Sequence, residues 1–412
     1  MNRAMKSEPK IRFPEFDDSY SCSYLSDYLT VNTARNKAGA YSKEDVLSVS
    51  GEEGIVNQIQ LLGRSYAGVS VLDYHIVNLD DIVYTKSPLK ASPFGIIKCN
   101  KGQSGIVSTL YAVYTPKESV LPSYVEDYFA LDSRLNRYLK PIVRIGAKHD
   151  MKVSNSAVLE GEVSFPSLSE QKKIADFLSA YDKKISLQKE RVGTLEERKK
   201  GLLQKVFSQE IRFKTDDGSE FPEWEEKTIG DIADCIAGAT PNTKVSDYWE
   251  NGTIPWMSSG EVNRGTITET ERRISQIGYD KTSTKIVPPN TVVMALAGQG
   301  KTRGMVAITR IPLCTNQSLA SLVAKKEFCP DYLYQYLITQ YSNLRSISSG
   351  DDTRGGLNLK LVGAYPVRLP CIFEQRKIAG LFTVIDSQIS LERERLKTMQ
   401  EIKKGLLQQM FC

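Results

Sequence analysis

Two stretches of the chain place apolar residues at alternating intervals of four and three. In 170–207 they are Ile174, Leu178, Tyr181, Ile185, Val192, Leu195, Leu202 and Val206. In the later stretch they are Ile378, Phe382, Ile385, Ile389, Leu396, Met399, Leu406 and Met410. This is the heptad spacing of a helix that buries one stripe against another helix. Each stripe is broken at two polar positions, Gln188 and Lys199 in the first and Glu392 and Lys403 in the second. Two long helices are predicted, and the breaks bear on how they pair. Packed antiparallel with Lys199 opposite Glu392 and Gln188 opposite Lys403, each polar break meets a polar partner. The same register sets Ile185 on Leu406, Val192 on Met399 and Leu195 on Leu396. A charge left alone in such a seam costs on the order of several kcal/mol, so the register is strongly selected. A helix of about 38 residues spans on the order of 57 Å.

The two stretches are copies. Segments 165–207 and 369–411 align without a gap at an offset of 204, and about half the positions are identical. Weaker echoes extend the repeat: Phe13-Pro14-Glu15-Phe16 with Phe221-Pro222-Glu223-Trp224, the run from Asp81 with that from Thr291, and the run from Pro122 with that from Pro330. A period near half the chain is too long for a solenoid and describes a duplicated domain. The predicted organisation is a globular region over 1–165, a helix over 166–208, a second globular region over 209–368 and a second helix over 369–412. Short β-type runs fill the globular regions, at 81–86, 105–114, 291–297, 304–310 and 319–324, punctuated by Gly, Pro, Asn and Ser. A helix follows each proline echo, over 123–139 and 331–346, because proline suits a first helical turn. The fold class is α/β (α+β), with two similar domains and an antiparallel helical pair. Two similar halves in one chain can present faces related by an approximate two-fold axis, the symmetry of a DNA backbone.

Bulk properties narrow the function modestly. The 412 residues carry a net charge of +5, which permits a nucleic-acid partner without demanding one. No apolar run approaches the ~20 residues of a membrane span. The seven cysteines are scattered without a Cys-x-x-Cys, as expected of reduced thiols in a cytoplasmic protein. Two histidines, His75 and His149, leave little material for a histidine-based metal site or catalytic base.

The arrangement resembles the specificity subunit of type I restriction–modification enzymes over essentially the whole chain. Its markers are Glu170-Gln171-Lys172-Lys173-Ile174-Ala175 and Glu374-Gln375-Arg376-Lys377-Ile378-Ala379, each preceded by a proline, and the Lys-Lys-Gly-Leu-Leu-Gln ends at 199–204 and 403–408. Ala237-Gly238-Ala239-Thr240-Pro241-Asn242 is similar to the Gly-Gly-Thr-Pro opening of such domains, with alanine for one glycine. The resemblance implies that each globular region is a target recognition domain reading one half of a split, asymmetric site in double-stranded DNA. It implies helices that act as spacer and as docking surface for two methyltransferase subunits, joined by restriction and motor subunits. S-adenosylmethionine, ATP and magnesium then belong to those partners, and this chain carries no cofactor, no metal and no catalytic residue.

Two motifs invite other readings. Ala295-Leu-Ala-Gly-Gln-Gly-Lys301-Thr302 fits a relaxed phosphate-binding loop, but a helix must follow such a loop. The alternating run 303–311, closed by Pro312, predicts strand, glycine turn and strand instead. Val287-Pro288-Pro289-Asn290 is not the Asn-Pro-Pro-aromatic motif of amino methyltransferases. Polar segments between strands supply the candidate DNA contacts. In the first half these are Arg35, Asn36, Lys37, Lys86, Lys90, Lys98, Asn100, Lys101 and Lys148. In the second they are Asn242, Lys244, Ser258, Ser259, Asn263, Arg264, Gln299, Lys301, Arg303, Asn316, Gln317, Arg345 and Arg354, the last in a glycine-rich loop with Asp351 and Asp352. Such side chains suit phosphates and base edges. The alternative function is a coiled-coil assembly scaffold whose globular ends bind proteins.

Overall fold

The computed structural model describes residues 8–88, 92–145, 151–298, 300–347 and 356–412. It divides into two compact units, Met1–Lys189 with Glu394–Cys412, and Glu190–Arg393. Each unit contains one globular region and parts of both long helices, Leu168–Phe207 and Ile372–Gln409.

In the first unit a four-stranded antiparallel sheet runs in the order Leu29–Asn32, Ala112–Pro116, Ile82–Tyr84, Ile97–Cys99. Two smaller pairs accompany it, Leu47–Ser50 with Gly54–Asn57 and His75–Val77 with Gly105–Val107. The expected single strand 105–114 is two strands, because Ser108 turns the chain and its Oγ accepts from the Leu110 amide at 3.3 Å. The expected helix 123–139 is likewise two, Pro122–Tyr128 and Asp132–Leu139. The second unit has a five-stranded sheet ordered Ala233–Ala237, Leu319–Ala324, Val292–Ala295, Val306–Thr309, Thr266–Ile267. Beside it lies a three-stranded sheet of Arg272–Ile274, Ile254–Met257 and Cys314–Thr315. The proline-led helix is again divided, into Pro330–Thr339 and Tyr341–Ser346.

The repeated Glu-Gln pair is the joint between helix and globular region. In the first unit Glu170 is 1% exposed and accepts two bonds from the Arg12 guanidinium, at 2.8 and 2.7 Å, and one from the Tyr20 hydroxyl at 3.1 Å. In the second, Glu374 is held by Arg212 at 3.4 and 3.0 Å and by the Trp224 indole at 3.0 Å. A carboxylate can be buried this deeply only when charge-assisted donors satisfy it. Gln171 accepts from the Leu121 amide and donates to the Pro166 carbonyl, and Gln375 does the same with Cys329 and Pro370. The aromatic ends of the helices repeat too. Phe411 lies 5.2 Å from Tyr124 in the first unit, and Phe207 lies 5.6 Å from Tyr332 in the second.

Within each unit the helix segments run antiparallel, but the register differs from the one expected. Lys199 pairs with Asp386 at 2.7 Å, six residues from Glu392, and Lys403 pairs with Asp182, six residues from Gln188. Glu392 is 2% exposed and forms an ion pair with Arg191 at 3.0 Å. Long cationic side chains reach their carboxylates from beside the stripe, so polar breaks need not face one another. Ile174, Leu178, Val192, Ile378, Phe382 and Ile389 are buried, whereas Ile185, Leu195, Leu202, Leu396, Met399 and Leu406 are half-buried. Leu203 and Leu407, one position along from the expected Leu202 and Leu406, carry the deeper burial.

Candidate nucleic-acid interface

In the second unit, hydrogen bonds gather several candidates onto one surface. The loop 237–244 crosses the ends of strands Ile254–Met257 and Cys314–Thr315 at close range. Gly238 permits this approach, since a Cβ there would run into the Thr315 and Asn316 carbonyl oxygens. The Ala239 amide donates to the Thr315 carbonyl at 2.9 Å, and the Thr240 hydroxyl donates to Gln317 Oε1. The Asn316 amide group donates to Ser259 Oγ at 3.5 Å. Asn242 and Lys244 are exposed on the same loop. Ser258 stands apart in role: it caps the turn Ser259–Arg264, with its amide on Glu261 Oε2 at 2.8 Å. Arg264 is held by Glu271 at 2.8 Å, while Asn263 beside it is exposed.

The relaxed phosphate-loop motif is a hairpin. Val292–Ala295 and Val306–Thr309 pair antiparallel, and Gly304, at φ +81°, turns the chain into the second strand. Among the described residues the element that follows the loop is this strand and not a helix, so the motif lacks the following helix that a phosphate cradle requires. Tyr341 donates to the Lys301 carbonyl at 2.6 Å and Arg345 to the Gly300 carbonyl at 2.7 Å. Arg345 therefore braces the hairpin tip, on which Lys301 is exposed and Arg303 half-buried.

In the first unit the candidates divide sharply. Asn36 and Asn100 are buried at 1% and 0% exposure, with both ends of each amide bonded to backbone. They shape loops and have no face for a base. Lys98 and Lys101 share the Glu126 carboxylate at 3.4 and 2.8 Å, and Lys37 pairs with Asp73. Arg35 and Lys86 form a different group. Arg35 donates to the Asp73 carbonyl at 2.7 Å and Lys86 to Asn155 Oδ1 at 2.6 Å, both neutral acceptors. Burial, and then Arg35, push the Lys86 ammonium below its ordinary range. Burial, then Arg35 and Lys86, push His75 down to about 4. Arg35 and Lys86 thus form a cationic patch beside the Asp73 carboxylate that Lys37 holds, and such a patch suits an incoming phosphate. Lys90, Lys148, Gln299 and Arg354 lie outside the described residues.

Sequence reasoning passed over three features. Arg272 lies 3.6 Å from the centroid of the Trp249 ring, and Trp249 stands edge-on to Trp256 at 5.1 Å. Arg64 lies 4.6 Å over the ring of exposed Tyr66. Asp127 is buried where the second unit has Gln335. Arg272 was hidden because it opens a strand instead of occupying a polar loop. The Asp127–Gln335 difference could have been found in the proline echo, where the two align.

A family model described as the type I restriction modification DNA specificity domain matches residues 70–197 and 222–401. The MjaIX specificity subunit of Methanocaldococcus jannaschii is 29% identical over 211 residues, 50% of this chain and 48% of that protein. The EcoR124I/EcoR124II specificity subunit of Escherichia coli is 25% identical over 184 residues, 44% of this chain and 45% of that protein. The matched stretches thus span about half the length of these two relatives. The crystal structure of a type I restriction–modification S subunit from M. genitalium superposes with a TM-score of 0.60 at 14% identity, covering 98% of this chain and 99% of that one. That likeness is one of fold, and it extends the architecture to both units. With the family model matching well over half of its length, the chain belongs to the type I restriction modification DNA specificity domain family.

Proposed function

We propose that this chain is the sequence-reading subunit of a type I restriction–modification complex. Each globular region reads one half of a bipartite, asymmetric site in double-stranded DNA, and the bound complex is directed to adenine methylation or restriction there. The chain itself is non-catalytic. Two methyltransferase subunits dock on it and bring S-adenosylmethionine, and restriction subunits bring ATP and magnesium. The complex works in the cytoplasm.

One observation carries this reading: the frame is duplicated in detail and the surfaces are not. Arg12–Glu170 and Arg212–Glu374, Gln171 and Gln375, and Phe411 and Phe207 repeat the joints closely. The outward polar groups differ, with Arg35 and Lys86 in one unit and Thr240, Asn316 and Gln317 in the other. A common frame with unlike faces suits two unlike half-sites. Methylated adenines mapped in cells carrying this chain and its methyltransferase should fall in a split motif with two unlike halves. A protein scaffold would leave no such motif, and the purified complex would then bind duplex DNA with no sequence preference at any salt concentration.

A further inference from the structure

We propose that Arg272 reads a guanine in the half-site addressed by the second unit. The inference rests on the DNA-reading function above and adds a residue and a base to it. Arg272 opens strand Arg272–Ile274 and stands directly across from Trp256 in the antiparallel pair. Cross-strand partners share a face of a sheet. Its guanidinium sits 3.6 Å from the Trp249 centroid and 5.7 Å from that of Trp256. Both indoles are fixed in turn: Trp249 Nε1 donates to the Asn242 carbonyl at 3.2 Å and Trp256 Nε1 to the Ala239 carbonyl at 3.0 Å. These carbonyls belong to the loop that carries Thr240 and Lys244. The stack and the polar surface are therefore one structure.

The neighbouring cations are otherwise engaged. Arg264 is held by Glu261 and Glu271, Arg273 donates to the Thr253 carbonyl at 3.0 Å, and Arg310 pairs with Asp331. Among the described residues no carboxylate pairs with Arg272, which is exposed. An aromatic platform holds the planar guanidinium in one orientation while leaving its edge donors for a ligand. Arginine's two-pronged edge matches O6 and N7 of guanine in the major groove.

The test uses the full chain in complex with its methyltransferase and a duplex library randomised across the half-site, with binding measured at two salt concentrations. Arg272→Ala and Arg272→Lys should both lose a guanine preference at one position by roughly 5- to 150-fold, and leave preferences elsewhere intact. Lysine keeps the charge but not the fork, so it should restore overall affinity without restoring the preference. Uniform weakening of all sequences, fully rescued by lysine, would make Arg272 a phosphate contact and overturn the proposal. An unchanged preference in both variants would overturn it as well. Loss of any sequence preference in the wild-type complex is a separate result, and it would count against the proposed function itself.

Discussion

Replacing Asp127 with asparagine should stabilise the first unit, and increasingly so as the pH rises. Asp127 lies in helix Pro122–Tyr128 at 7% exposure and lines a cleft with Asp80, Asp182 and Lys101. Burial, opposed by Lys101 and Lys403 and reinforced by Glu126 and Asp182, pushes its carboxyl up to about 7. In the second unit Gln335 fills the corresponding place and donates to Asp386 at 2.7 Å, where Asp386 corresponds to Asp182. The amide supplies the proton that a carboxylate lacks. Because the folded-state value lies above the ordinary 3.8, the folded protein holds a proton that the unfolded chain releases. Stability is therefore greatest below about pH 4, falls as pH rises towards 7, and is level above that. A displacement of about three units corresponds to a ceiling of ~4 kcal/mol at pH 8. Asp127→Asn removes the penalty, so its gain should be near zero at pH 4 and grow to a few kcal/mol by pH 8. Urea unfolding with hydrogen-exchange readout of helices Pro122–Tyr128 and Asp132–Leu139 measures this locally. A gain of the same size at every pH, or destabilisation at pH 8, would show that Asp127 carries no such penalty.

Glu170→Ala should cost roughly 3–5 kcal/mol, because it leaves the Arg12 guanidinium without its carboxylate in a half-buried site; thermal unfolding reads the loss. Arg35→Ala with Lys86→Ala should weaken binding to all duplex sequences alike and reduce the salt slope by about 2, one for each lost phosphate contact, whereas base readers would instead alter preference at particular positions.

Much of the frame was legible because periodicity and repetition report on packing. The heptads located both long helices and their antiparallel sense, and Pro122 and Pro330 marked the helices that follow. The register was not legible, since Arg191 reaches Glu392 from outside the stripe. The partner of the Glu-Gln motif was hidden for a different reason. Aligning Phe13 with Phe221 separates Arg12 from Arg212, because residues 214–220 form an inserted turn closed by a Lys214–Glu220 bridge. Candidate readers were hardest to sort. Asn36 and Asn100 have the composition of exposed loop residues but are buried turn-formers, and only their three-dimensional neighbours reveal it. Arg272 posed the reverse problem, since the tryptophan that orients it lies 23 positions away along the chain.

The central claim is that two globular regions on one duplicated frame read two independent halves of a DNA site. The most direct measurement is to exchange 209–368 for the corresponding region of another family member and map methylated adenines in cells that also supply the methyltransferase. One half of the split motif should change while the other half stays as it was. A change in both halves, or in neither, would contradict that claim.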